Sequence, residues 1–208
     1  MKQNEDLHGN APDKSEMVLV LIDVINDLEF EGGEELLRSA LPAAKRIGRL
    51  KERAHQASVP VIYVNDNFGR WRSDFKRIVE HCLRNDVRGR PIAELLKPND
   101  DDYFVLKPKH SGFFSTTLDL VLEYLGARKL VLTGIAGNNC VLFTANDAYM
   151  RDYKLIIPAD CTASINQQDN DDALRQMQKV LKADIRASDQ VEFQRGSGET
   201  GRTHKAGS

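Results

Sequence analysis

Cys140 has the strongest claim on chemistry in this chain. It ends the segment TGIAGNNC, which follows the apolar run KLVL and opens a helical pattern. A thiol at a helix start lies among backbone N–H groups with no intrahelical partner and at the positive end of the helix dipole. Both favour thiolate. The same N–H groups can hold the oxyanion formed when a carbonyl is attacked. Asp23 directly follows VLVLI. A carboxylate ending so apolar a run must be paired, hydrogen-bonded or partly protonated, and each state suits a group that moves a proton. Lys107 directly follows YFVL, with Lys109 and His110 close behind, and spacing alone does not choose among the three. Each residue has a plainer reading: a small buried hydrophobe for the cysteine, a turn residue for the aspartate, a surface charge for the lysine. Three reactive types, each just beyond a separate apolar run, argue more strongly together. A nucleophilic thiol, a proton carrier and a cation are the parts of a covalent attack on a carbonyl.

The elements that must position them follow from periodicity. The runs MVLVLI (17–22), VPVIYV (59–64), YFVL (103–106), KLVLTGI (129–135) and KLIIPA (154–159) are continuous in Val, Ile and Leu, and a weaker run lies near 183–186. Short runs of this kind suit strands buried on both faces. Between them lie helical patterns. Pro42 is expected to open one, with Ile47, Leu50, Ala54 and Ala57 on a shared face. Ser115 is expected to cap a second, which turns out at Gly126. Further helices are expected over about 138–149 and 171–181. Alternating strand and helix gives a three-layer α-β-α fold on a mostly parallel, about six-stranded, Rossmann-like sheet. Ligands in such sheets bind beyond the carboxyl ends of the strands, where Asp23, Lys107 and Cys140 all fall.

Length and composition bound the rest. The chain has 208 residues, a formal charge of −2 and three cysteines. One domain over about 17–193 is expected, with a disordered polar segment over 1–16 and a flexible tail over 194–208. The near-neutral charge argues against nucleic acid as a partner. No apolar stretch reaches the length of a membrane span, and the first residues lack the apolar core of a secretory signal. An odd set of three well-separated cysteines suits a reducing, cytoplasmic setting. A small molecule is the expected partner.

The blocks LIDVINDL around Asp23, VLKPKHSGFFSTTLDLVL around Lys107 and TGIAGNNCVLFTANDAYMRDY around Cys140 resemble the three signature blocks of the isochorismatase-like cysteine hydrolases. The resemblance covers about 17–162, and the third block is its most specific part. It implies a six-stranded parallel sheet and a Cys–Asp–Lys triad, with Cys140 as nucleophile and Asp23 as proton carrier. Lys107 fits the triad lysine because it lies four residues before Ser111-Gly112-Phe113, the match to the family's S-A-F-type segment. The resemblance further implies a non-proline cis peptide at Ile135–Ala136 and an oxyanion hole built from the N–H groups of Ala136 and Cys140. It implies hydrolysis of an amide, carbamoyl or ureide-type C–N bond through a thioester, with no cofactor, in a homo-oligomer such as a dimer or tetramer.

The chain also departs from the family pattern. Where many members carry D-x-Q-x-x-F, Ile25 and Leu28 replace the Gln and the Phe, so an altered substrate pocket is expected there. Trp71 is expected to wall that pocket or to anchor loop 65–75, and Phe113 is expected to face it. No His occurs between His55 and His81, so the metal site of the family's nicotinamidases is not expected. Two other readings remain: vinyl-ether hydrolysis of the isochorismate type, which does not need the thiol, and a non-catalytic binding module with TGIAG as a phosphate cradle.

Overall fold

The computed structural model describes residues 14–69, 74–84 and 86–193. Trp71, the segment 1–13 and the tail 194–208 lie outside the described residues. Six parallel strands form one sheet: β1 (Met17–Ile22), β2 (Val61–Asp66), β3 (Tyr103–Lys107), β4 (Lys129–Ile135), β5 (Lys154–Ile156) and β6 (Thr162–Ala163). The order is β3-β2-β1-β4-β5, with β6 paired to the end of β4. The chain therefore builds outward from β1 in one direction and then reverses, which places the topological switch point between β1 and β4.

The strands are apolar throughout because each face has its own core. Val18, Val20 and Ile22 of β1 join one cluster, and Leu19 and Leu21 join the other. The first cluster packs against α4 (Leu118–Leu125), α5 (Leu142–Tyr149) and α6 (Gln167–Val180). The second packs against α1 (Gly33–Gln56), α2 (Phe75–Arg84) and α3 (Arg90–Leu95). Fully burying a Leu or Ile side chain contributes about 1.5–3 kcal/mol, so the alternation along β1 stabilises both layers at once.

Several local expectations are corrected. Pro42 does not open α1 but lies inside it, and the helix begins at Gly33. Pro42 is on the exposed side, so the carbonyl one turn back that lost its donor belongs to the exposed Arg38 and can be hydrated. Glu34 and Glu35 in the first turn suit the positive end of the helix dipole. Ser115 does not cap α4. It adopts a left-handed φ of 53°, and Thr116 Oγ1 accepts from the Leu118 N–H at 3.1 Å instead. The stretch near 183–186 forms only an isolated bridge, Ile156 to Asp184, and β6 is the sixth strand. In the loop before β3, the Asp102 side chain is buried in an ion pair with Lys51 at 2.9 Å and in contact with His55 at 2.7 Å. Among the described residues no helix is long and apolar enough to cross a membrane.

Candidate active site

Asp23, Lys107 and Cys140 meet beyond the carboxyl ends of β1, β3 and β4. Asp23 directly follows β1 with a left-handed φ of 52° and donates its backbone N–H to Val64 O at 3.0 Å. An aspartate tolerates this backbone better than most residues. Lys107 is the last residue of β3, two strands away, and it is fully buried. Its long side chain reaches across β2, bringing Nζ to 2.7 Å from Asp23 Oδ2 and 3.6 Å from Cys140 Sγ. The Cys140 thiol and the Asp23 carboxyl group are close enough to shift each other's ionisation. Lys109 and His110 are exposed. The His110 ring packs 5.4 Å from that of Phe143.

Cys140 lies in a five-residue π-helical turn, Gly137–Val141, that runs into α5. The peptide Ile135–Ala136 just before this turn is cis. Two glycines make the approach possible. At Gly134, with φ of 123°, a Cβ would stand 2.1 Å from Ile22 O, so β4 and β1 come this close only without a side chain. At Gly137 a Cβ would stand 2.1 Å from Asn170 Oδ1.

The electrostatics depart from one expectation. Burial first, and then the Asp23 carboxylate, push the Cys140 thiol up to about 12, against the pull of Lys107. The thiol is therefore protonated at rest, because ionising it beside Asp23 would bury a second negative charge. Burial raises the Asp23 carboxyl above its ordinary range by more than Lys107, Cys140 and the Asp66 N–H lower it. Burial alone would lower Lys107, but Asp23, followed by Cys140 and Asp66, outweighs it and keeps the ammonium above its ordinary value. The Lys107 ammonium thus lies between the Asp23 carboxyl group, at 2.7 Å, and the Cys140 sulfur, at 3.6 Å.

Sequence reasoning missed the residues that hold this arrangement. Asp66, at the end of β2, donates its N–H to Asp23 Oδ1 at 2.6 Å and places its carboxylate 3.6 Å from Lys107 Nζ. Asn65 is fully buried, accepts from the Ile25 N–H at 3.2 Å and donates to Ile25 O at 2.7 Å, which fixes the loop carrying Asp23. Ser164 Oγ accepts from the Asn138 N–H and donates to Asn170 Oδ1, both at 3.1 Å, tying the turn that carries Cys140 to α6. Thr144 Oγ1 donates to Cys140 O at 2.7 Å and accepts from the Gly112 N–H at 2.9 Å. The one available signal was position: Asp66 and Ser164, like Asp23, stand where a strand ends.

A cleft of about 610 Å3 opens over Asp23, Ala136 and Cys140. Phe30 and Ile165 supply apolar walls, and Asn26, Asn138, Asn139 and Asn166 supply carboxamides. The expected substrate contacts Ile25, Leu28 and Phe113 are not among its lining. Ile25 and Leu28 are fully buried in the core between the sheet and α1 to α3, where their apolar side chains lose most water contact. Phe113 is buried in the opposite core, with Arg151 over its ring at 4.6 Å. Cys82 and Cys161 are also core residues. Among the described residues no group of three His, Cys, Asp or Glu is placed to hold a metal ion.

Known proteins share this architecture. The isochorismatase domain family matches residues 17–189. The chain is 45% identical over 178 residues to the uncharacterized isochorismatase family protein YaaI of Bacillus subtilis, covering 86% of this chain and 97% of that one. It is 30% identical over 180 residues to the ureidoacrylate amidohydrolase RutB of Methylorubrum extorquens, covering 73% of this chain and 71% of that one. The solved N-carbamoylsarcosine amidase from Thermoplasma acidophilum superposes with a TM-score of 0.63 at 26% identity, covering 86% of this chain and 99% of that one.

Proposed function

The chain belongs to the isochorismatase family and is a hydrolase, and from that premise we propose that it cleaves a C–N bond of a small amide, carbamoyl or ureide compound with Cys140, Asp23 and Lys107. The observation that carries this reading is the buried ammonium of Lys107, 2.7 Å from Asp23 Oδ2 and 3.6 Å from Cys140 Sγ. Neighbours bearing amidohydrolase names support the choice of C–N chemistry.

In this reading Asp23 takes the thiol proton as Cys140 Sγ bonds to the carbonyl carbon, and the carbonyl electrons move onto oxygen. The N–H groups of Ala136 and Cys140 hold that oxyanion. As it collapses, the C–N bond breaks and the nitrogen leaves with the proton from Asp23. Water then attacks the thioester, giving a proton to Asp23. The carbon–sulfur bond breaks, and the proton returns to sulfur. Lys107 stays charged throughout and keeps Asp23 in the form that accepts a proton.

An ammonia-release screen over primary amides, carbamoyl compounds and ureides will identify a substrate. On it, Cys140→Ala is expected to lose at least ~10³-fold in kcat, and mass spectrometry is expected to find an acyl adduct on Cys140 of the unmodified enzyme during turnover. Undiminished turnover by Cys140→Ala would remove the nucleophile from this scheme.

A further inference from the structure

Among the described residues the charge of the cleft is one-sided. The charged residues among its described lining are Asp23 and Asp169, both acids. Asp23 is already paired with Lys107, and the Lys107 ammonium is enclosed by Asp23, Asp66 and Cys140. Asp169 differs from its neighbours on α6. Asp171 accepts from Gln167 at 2.8 Å, and Asp172 accepts from Gln168 at 3.1 Å. The carboxylate of Asp169 has no hydrogen-bond or ion-pair partner among the described residues, although it is exposed and lines the cavity above the nucleophile. The start of α6 offers an anion little in return, since the Asn166 side chain already accepts from the Gln168 N–H at 2.8 Å.

Resting on the amide-hydrolase reading above, we propose that Asp169 determines specificity, and that the substrate is a small amide whose end remote from the scissile bond carries a protonated amine. A cleft of about 610 Å3 admits a molecule of that size. Phe30 and Ile165 contact a short hydrocarbon, and the carbonyl carbon lies at Cys140. The ammonium then meets an unpaired carboxylate and forms a charge-assisted hydrogen bond. A carboxylate in the same place meets no cation among the described lining residues and is repelled by Asp169.

Two measurements test this, and the first needs no turnover. Cys140 is modified with a cationic ethylammonium methanethiosulfonate and with its anionic ethylsulfonate counterpart. Each forms a mixed disulfide and releases methanesulfinate. Rates at Cys140 are followed by mass spectrometry and divided by each reagent's rate with a simple thiol. The cation-to-anion ratio is expected to exceed one, to fall by about tenfold in Asp169→Asn, as for one charge at the wall of an open site, and to be restored in Asp169→Glu. An equal ratio in the unmodified protein and Asp169→Asn overturns the proposal. In the second measurement, kcat/KM is expected to rank 4-aminobutanamide above butanamide and butanamide above succinamate. Succinamate equal to or better than the amine also overturns it. A shifted modification ratio with no amide cleaved would instead count against the hydrolase reading while supporting the role of Asp169.

Discussion

Replacing Lys107 and Asp23 singly and together separates the cost of a buried charge from the worth of the pair. The Lys107 side chain is 0% exposed and that of Asp23 is 7% exposed, at 2.7 Å. At an effective dielectric of about 20, their attraction at that distance is about 6 kcal/mol. Withdrawing each ion from water costs several kcal/mol, so the pair as a whole contributes little. Lys107→Met removes the attraction and leaves the burial cost of Asp23, so it is expected to destabilise the fold by about 3–5 kcal/mol at neutral pH. Asp23→Asn, which strands the ammonium, is expected to cost a similar amount. The double variant buries no charge at this point and is expected to lie within about 1 kcal/mol of the unmodified protein or above it. The Lys107→Met deficit also depends on pH. Without the ammonium the folded-state pKa of Asp23, already raised, rises further. A raised folded-state pKa gives stability that is present below the unfolded value of 3.8 and lost as pH rises through the folded value. The deficit therefore shrinks toward acid. Urea unfolding followed by circular dichroism at several pH values measures all four proteins. A double variant destabilised by the sum of the two single ones would refute the reasoning, because it would show that the two side chains stabilise the fold independently.

Activity is expected to have an acid limb above the ordinary carboxylate range, since Asp23 must be ionised to take the thiol proton and its pKa is raised. A kcat/KM profile with its acid limb at or below 3.8 would contradict that role. Iodoacetamide is expected to label Cys140 ahead of Cys82 and Cys161. All three thiols are pushed up to about 12, so access decides, and only Cys140 borders the cleft. Peptide mapping after partial labelling checks the order, and the rate should climb with pH. Gly137→Ala is expected to cost about 1–3 kcal/mol and most of the activity, because its Cβ would stand 2.1 Å from Asn170 Oδ1. Unchanged melting temperature and turnover would show that α6 gives way freely.

The strands were legible because burial on both faces leaves a continuous apolar run, as in β1 with Val20 in one core and Leu21 in the other. Asp23, Lys107 and Cys140 were legible for a related reason, since a polar residue at the end of such a run stands where a parallel sheet binds ligands. The residues that aim them were not. Asn65 serves Ile25, forty positions away, and Ser164 serves Asn138. In the sequence both look like the polar residues of any loop. The protonation of Cys140 was equally hidden. A helix start argues for thiolate, and only the folded chain shows burial and Asp23 arguing more strongly for the thiol. Pro42 misled because a proline on the solvent side of a long helix breaks a backbone bond that water can replace.

The edge strand β3 carries a buried charge at each end. Asp102, just before it, is paired with Lys51 on α1, and Lys107, its last residue, is paired with Asp23 beyond β1. An edge strand is the part of a sheet most free to slide or to recruit a foreign strand. Sliding by one residue would turn every side chain of β3 to the opposite face. It would pull Asp102 from Lys51 and Lys107 from Asp23 in the same movement, exposing two stranded charges to the core. The two ion pairs thus act as a register lock. A misaligned chain is penalised twice, once at each end of the strand.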